Sequence, residues 1–286
     1  MTGKLKCQGL AALLFIVGGA TAQTDGDAVI KGREIFDKYK SAVVTVQLVI
    51  KQRFSREGMS SQENEEKTEA TGTMIDPTGL TVMSLLAVDP TQMYERMATS
   101  RGLMDNDFKM TSEATGAKIL LEDGTELEAR VVLRDADLDL AFVRPAAKPE
   151  TPLPYIDLNN SSEPQLLDQI IALNRLGKVA RRTYAACFDR IEAIVDKPRT
   201  LYVPSQTESG NATLGCPGFT MDGKVVGIAA IRTAVGGDAD MLVVLVPAAD
   251  ILDAAKQTPP FGQEGAGEGK AESSETPPEA PATASQ

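Results

Sequence analysis

Two side chains in this sequence are of types that carry covalent catalysis. Cys216 stands in the segment TLGCPGF and Ser209 stands in the segment ESGN. Both residue types attack carbonyl groups once an adjacent group takes or stabilises their proton. A reactive thiolate needs a nearby cation or helix N-terminus, and the residues around Cys216 supply neither. A Ser-Lys pair at Ser209 would need a lysine that no motif places there.

The general base that such nucleophiles usually depend on is missing. The chain contains no histidine, and imidazole is the usual proton acceptor near neutral pH. The sequence therefore excludes Ser-His-Asp and Cys-His sites, and also the common zinc sites that contain histidine. The segment DADLD (Asp135 to Asp139) alternates acids but lacks the spacing of a calcium loop. We expect no metal and no cofactor.

The net charge and the N-terminal residues limit which binding partners and which cellular compartment are expected for the protein. The net charge of −11 makes nucleic acid an unfavourable partner. Residues 1–22 are typical of a signal peptide, with Lys4 and Lys6 before an apolar run and a small-x-small cleavage site, Ala20 to Ala22. We expect a periplasmic or secreted protein without stable membrane insertion after cleavage.

Most of the remaining chain has strand character. Short runs rich in β-branched residues are separated by turn signals, among them Asp123-Gly124 and Asp222-Gly223. This spacing predicts two small β-barrels or sandwiches. A short helix is expected over Asp27 to Lys40, and a closing helix over Ala248 to Gln257.

Composition divides the chain further. The predicted units are residues 23–145 with the first helix and first barrel, a Pro-rich linker over 146–164, and the second barrel with its closing helix over 165–257. Residues 258–286 form a tail rich in Pro, Glu, Ala and Ser, which is expected to be disordered. The charge-dense segment Lys51 to Ala70 is predicted to be a solvated loop between strands.

The order of segments resembles the trypsin-like serine protease fold in its HtrA-like bacterial form, without a PDZ-like segment. SAVVTV, TGTMIDPTGLTV, the DLA of a strand pair, DGKVVGI and VPAADIL follow one another as in that family over roughly Lys40 to Lys256. The resemblance implies an all-β chain of two six-stranded antiparallel barrels with short N- and C-terminal helices.

The family's three catalytic positions can be located in this sequence through the same resemblance. Leu86 stands where the family has histidine, Asp139 matches its aspartate, and Leu214 stands where it has the serine nucleophile. Ala212, Thr213 and Leu214 occupy the oxyanion loop. Two leucines supply neither nucleophile nor base. Asp139 must then be solvated or satisfied by a backbone N–H, a hydroxyl or an arginine.

These residues predict an exported, catalytically inactive homologue that holds an extended peptide or protein partner in the cleft between the barrels, or acts as a scaffold. The alternatives are an active serine endopeptidase with other catalytic residues, and an envelope protein with a purely structural role. Cys187 and Cys216 either form one disulfide or remain two thiols that pack as small apolar groups.

Overall fold

Two barrels make up the described part of the molecule. The computed structural model describes residues 21–56, 61–91, 93–94, 108–205, 214–233 and 241–261. Within these ranges, strands close into two antiparallel barrels of six strands each. The predicted fold class is therefore confirmed. Residues 1–20 of the predicted signal peptide and most of the predicted tail lie outside the described residues.

The first barrel is built from hairpins whose turns the sequence signals. Its strands are β1 (Val43–Arg56), β2 (Gln62–Met74), β3 (Thr81–Ser84), β4 (Phe108–Leu120), β5 (Glu126–Asp135) and β6 (Leu140–Pro145), in the order β1-β2-β3-β6-β5-β4. The DPTG turn joins β2 to β3, and Gly79 N–H donates to the Asp76 carbonyl at 3.1 Å. Gly124, with φ of 87°, turns β4 into β5. β-branched and aliphatic side chains fill the interior, among them Val44, Val46, Met83 and Val143.

The charge-dense segment Lys51 to Ala70 is largely strand, so its prediction as a loop is wrong. β1 and β2 stay in register from Val43↔Thr73 to Phe54↔Gln62. Charges of opposite sign face each other across this pair: Glu63 accepts from Lys51 at 2.8 Å and also binds Arg53. Such cross-strand pairs stabilise a strand pair that has few apolar residues. The charge that suggested a loop therefore supports a sheet.

The second barrel repeats the plan of the first. Its strands are β7 (Gln169–Arg175), β8 (Tyr184–Val195), β9 (Leu201–Pro204), β10 (Pro217–Thr220), β11 (Val225–Thr233) and β12 (Met241–Pro247), in the order β10-β11-β12-β9-β8-β7. The Asp222-Gly223 turn joins β10 to β11 as predicted, with Thr220 N–H donating to the Lys224 carbonyl at 2.9 Å.

Both predicted helices are present, and both pack against strands of the second barrel. α1 (Thr21–Tyr39) is longer than predicted and packs on the second barrel, where the Tyr39 ring stacks on Phe219 with centroids 4.7 Å apart. α2 (Ala248–Ala255) buries Ala248, Ile251 and Ala254. Of the helices in the described ranges, none combines the length and apolarity needed to cross a bilayer.

The predicted linker and the residues that follow α2 both pack against strands and form hydrogen bonds with them. In the predicted linker, Ile156 and Leu158 are buried, and Ile156 N–H donates to the Met74 carbonyl at 2.9 Å. After α2, Thr258 accepts a hydrogen bond from the buried Arg144 at 3.0 Å, and the Arg144 guanidinium lies 5.0 Å from the Phe261 ring centroid. The packed chain thus extends to Phe261 and does not end at Gln257.

Candidate functional site

A cleft of about 390 Å³ opens between the two barrels. Most of its exposed lining surface is hydrocarbon, and Leu86 and Leu214 both contribute to it. The first barrel contributes Thr45, residues 68–71, Ser84, Leu86 and Ala87, and the second contributes residues 174–177 and Leu214.

Leu86 is positioned by a single turn of 3₁₀ helix, Leu85–Ala87, that follows β3. The Ser84 hydroxyl caps this turn by accepting from Leu86 N–H at 3.3 Å. Leu85 N–H donates to the Asp139 carbonyl at 2.9 Å, which ties the turn to the end of the β5–β6 connection. The half-buried Leu86 side chain is therefore held at the cleft by polar contacts of its neighbours.

Asp139 takes up a left-handed backbone conformation, with φ of 56°. Its Oδ2 accepts from the Ser84 hydroxyl at 3.1 Å and from Ile231 N–H at 3.1 Å. One contact comes from each barrel. Of the partners that the sequence left open for this carboxylate, a hydroxyl and a backbone N–H both donate to it. Ser84 was missed by sequence reasoning, although a serine directly before a short turn is a recognisable cap signal.

Replacing Asp139 separates a structural role from a charge-dependent one. Asp139→Asn keeps an oxygen acceptor and tolerates the left-handed conformation, so we expect a loss of less than about 1 kcal/mol in unfolding free energy. Asp139→Ala loses the acceptor and is strained at this φ, so we expect a loss of about 2–4 kcal/mol. Urea unfolding of both variants measures the difference. Equal losses would mean that the negative charge, and not the acceptor geometry, is what the fold requires.

Leu214 lies on the opposite wall of the cleft, in the turn that precedes β10. Its side chain is buried, and the next residue, Gly215, has φ of 81°. Gly215 N–H donates to the Ala229 carbonyl at 2.7 Å, and its carbonyl accepts from the Thr73 hydroxyl at 2.7 Å. The turn therefore contacts both barrels. Ala212 and Thr213, the other predicted oxyanion positions, lie outside the described residues, as does Ser209.

Most side chains at this cleft carry no group for acid–base or covalent chemistry, and the Glu69 carboxylate that lines it is paired with Arg182. Leu86 and Leu214 are hydrocarbon. The hydroxyl of Ser84 is buried, and it both donates to Asp139 and accepts from Leu86. Among the described residues, no three Cys, Asp or Glu side chains cluster as potential metal ligands. The arrangement is suited to contact with an apolar group.

Cys187 and Cys216 are not bonded to each other in the structure, so of the two alternatives the disulfide is wrong. Cys187 is exposed on β8 and Cys216 is buried beside β10. β7 lies between β8 and β10. Its residue Ala172 pairs with Cys187 of β8 on one side and with Gly218 of β10 on the other. Two strand spacings amount to about 9–10 Å, and a disulfide requires Cα atoms within about 7 Å. Burial raises the pKa of the Cys216 thiol well above its ordinary value, which keeps it protonated and unreactive.

An ion pair joins the barrels at the rim of the cleft. Glu69 of β2 accepts from Arg182 at 2.7 and 3.2 Å and from Gln47 at 2.7 Å. Burial acts to raise the pKa of the Glu69 carboxyl, but the hydrogen bonds from Arg182 and Gln47 outweigh it and leave this pKa below its ordinary value. Nearby, Arg175 donates to the Leu120 carbonyl at 2.6 Å.

Glu69→Gln is expected to lower the unfolding free energy by roughly 1–2 kcal/mol at pH 7, because Arg182 loses its charged partner. The folded pKa of Glu69 is lowered, so its contribution is fully present above the ordinary carboxyl pKa of 4.5 and is lost as the pH falls through the lower folded value. Unfolding curves of the two proteins should therefore converge below pH 4.5. The exposed Glu65→Gln on the same strand is the control, with little change at either pH. A gap that persists in acid would rule out the ion pair as its cause.

The chain is similar to known proteins in sequence and in structure. A family model described as "Trypsin-like peptidase domain" matches residues 70–228. The chain is 26% identical over 132 residues to "Probable periplasmic serine endoprotease DegP-like" of Rickettsia conorii (strain ATCC VR-613 / Malish 7), covering 44% of this chain and 26% of that protein. A protein of the same name from Bartonella henselae (strain ATCC 49882 / DSM 28221 / CCUG 30454 / Houston 1) is 26% identical over 163 residues, covering 56% and 31%.

The chain thus spans between a quarter and a third of the length of these relatives. Among solved structures, the MamO protease domain from Magnetospirillum magneticum (apo form) matches with a TM-score of 0.49 and 17% identity, over 76% of this chain and 97% of that one.

Proposed function

The chain belongs to the trypsin-like peptidase domain family, and from this premise we propose that it is a catalytically inactive member that binds an extended peptide or protein segment between its barrels. Activity in this family depends on side chains that transfer protons and attack the substrate carbonyl. Two hydrocarbon side chains at those positions remove both steps.

The observation that carries the proposal is the meeting of Leu86 and Leu214 in one cleft. They lie 128 positions apart in sequence order, on different barrels, and line the same space. In a chain without histidine, the carboxylate of Asp139 is engaged by Ser84 and Ile231 N–H. These contacts support a structural role for the residue that matches the family's aspartate.

The cleft itself supports binding. Its volume of about 390 Å³ falls within the range of ligand pockets. It is concave, most of its exposed lining surface is hydrocarbon, and polar side chains such as Asn174 and Thr71 also line it. An apolar side chain of an extended peptide would remove hydrocarbon on both walls from water. Backbone groups along the cleft would add hydrogen bonds, as in recognition by strand addition.

Two observations on sequence support export of the protein from the cytoplasm. The relatives from Rickettsia and Bartonella are named periplasmic proteins, and residues 1–22 have the pattern of a signal peptide. We propose that the chain from residue 23 works in the periplasm or outside the cell.

The experiment uses purified protein comprising residues 23–286. With unfolded casein, we expect no cleavage above background. In selection from a random peptide library on the immobilised protein, we expect peptides whose affinity falls at least tenfold in Leu86→Glu, because a charge then faces the apolar wall. Leu166→Glu is the matched control, since Leu166 is 56% exposed and does not line the cleft. Casein cleavage abolished by Ser84→Ala or Ser209→Ala would overturn the proposal, and so would a failure to select any peptide.

A further inference from the structure

A basic loop borders the cleft on the side of the second barrel. Residues 176–183 join β7 to β8, and hydrogen bonds within the loop hold it in one shape. Arg182 N–H donates to the Gly177 carbonyl at 3.1 Å, and Leu176 N–H to the Thr183 carbonyl at 2.9 Å. Arg181 and Arg182 both adopt left-handed backbone conformations, with φ of 52° and 55°. The loop is therefore a preorganised feature that a partner could meet without ordering it.

The charge of this loop is opposite to that of the molecule. The loop and the adjoining end of β7 carry four cationic residues, whereas the whole chain has a net charge of −11. The four are Arg175, Lys178, Arg181 and Arg182.

Two of these cations are available to a ligand. Arg182 is engaged by Glu69, and Arg175 by the Leu120 and Leu121 carbonyls. Lys178 lies 3.4 Å from Glu69, but its side chain is 66% exposed, and Arg181 is exposed as well. Glu126 of β5 attracts Arg182 electrostatically, but it is itself paired with Lys118 at 3.2 Å. Positive charge therefore prevails at this edge of the cleft.

Apolar groups continue from the cleft onto the same loop. Leu176 lines the cleft together with Leu86 and Leu214, and its side chain is partly exposed. Val179, between Lys178 and Arg181, is fully exposed. Apolar cleft walls bordered by exposed cations are complementary to a segment that carries an apolar side chain next to acidic ones.

We propose that the cleft selects acidic extended peptides, which place an apolar side chain between Leu86 and Leu214 and carboxylates against Lys178 and Arg181. This rests on the proposed peptide-binding function and adds the class of ligand to it. A peptide fits better than an anionic bilayer, because Leu86 and Leu214 line a concave cleft that a single side chain can enter and a flat surface cannot.

The test compares three pools of fluorescent, end-blocked dodecapeptides, each with one central leucine. The other positions are drawn from Ser and Gly alone, from Ser, Gly and Glu, or from Ser, Gly and Lys. By fluorescence anisotropy in 50 mM NaCl, we expect the Glu pool to bind at least tenfold more tightly than the Ser-Gly pool, and the Lys pool more weakly than both. The advantage of the Glu pool should shrink in 500 mM NaCl, because salt screens exposed charges.

Matched charge reversals locate the effect. Lys178→Glu combined with Arg181→Glu should remove the preference for the Glu pool. Lys148→Glu combined with Lys197→Glu changes the net charge equally at two exposed positions that do not line the cleft, and should retain the preference. Loss of the preference in both double variants would overturn the inference. Equal binding of all three pools would also overturn it, but would leave the proposed peptide-binding function standing. Failure of every pool to bind would contradict both. Binding to phosphatidylglycerol vesicles that depends on Lys178 and Arg181, without a preference among peptides, would assign the loop to membranes.

Discussion

Replacing Gly215 by alanine is expected to lower the free energy of unfolding by roughly 3 kcal/mol or more. A Cβ at this position would lie 2.1 Å from the Thr71 carbonyl oxygen, and the residue has φ of 81°. The atom it meets belongs to the backbone of β2, so no side chain can rotate away. Because β2 belongs to the first barrel and Gly215 leads into the second, relief of the clash would separate the barrels at the cleft.

The measurement for Gly215→Ala is urea unfolding followed by circular dichroism. Gly177→Ala is the control: its φ is −71°, and an added Cβ would meet no atom within 4 Å, so we expect a change within about 0.5 kcal/mol. Stability of Gly215→Ala equal to that of the unmodified protein would mean that the turn carrying Leu214 is not pressed against β2.

Ending the chain at residue 257 is expected to destabilise it by about 2 kcal/mol or more relative to a chain that ends at residue 261. The difference isolates Thr258–Phe261. These residues supply two acceptors to Arg144, the Thr258 hydroxyl at 3.0 Å and the Pro259 carbonyl, and the Phe261 ring beside its guanidinium. Arg144 is 7% exposed, and burial lowers the pKa of its guanidinium. A buried cation without acceptors is costly.

A double-mutant cycle with Arg144→Met attributes this loss to the arginine. Methionine needs no acceptor and fills a similar volume, so shortening the chain should cost at least about 1 kcal/mol less in the Arg144→Met background. Thermal or urea unfolding of the four proteins supplies the cycle. The same cost in both backgrounds would show that Thr258–Phe261 stabilise the barrel by packing alone.

The parts of the fold that depend on residues adjacent in sequence, such as turns and individual strands, could be predicted from the sequence. Asp123-Gly124 and Asp222-Gly223 turn hairpins because glycine accepts the positive φ that those turns require. The alternation and β-branched content of the flanking runs predict strands for the same local reason. The segment Lys51 to Ala70 was misjudged because its strand structure comes from pairing of Glu63 with Lys51 and Arg53, which composition does not reveal.

The candidate site was predictable in its positions and not in its contacts. Family resemblance located Leu86, Asp139 and Leu214, and the structure brings Leu86 and Leu214 to one cleft. Asp139 is bonded to Ile231 N–H, 92 positions away, and Glu69 to Arg182, 113 positions away. Such contacts arise only when the barrels pack together. No local pattern in the sequence could indicate them.

The most direct test of the central claim is reaction of the purified protein with a fluorophosphonate, which labels activated serines. The probe needs a serine hydroxyl whose proton an adjacent base can take. With leucine at positions 86 and 214 and no histidine in the chain, we expect the intact mass to remain unchanged after prolonged incubation, while an active trypsin-like protease in a parallel reaction is fully labelled. One equivalent of probe attached to a serine that lines the cleft would contradict the account.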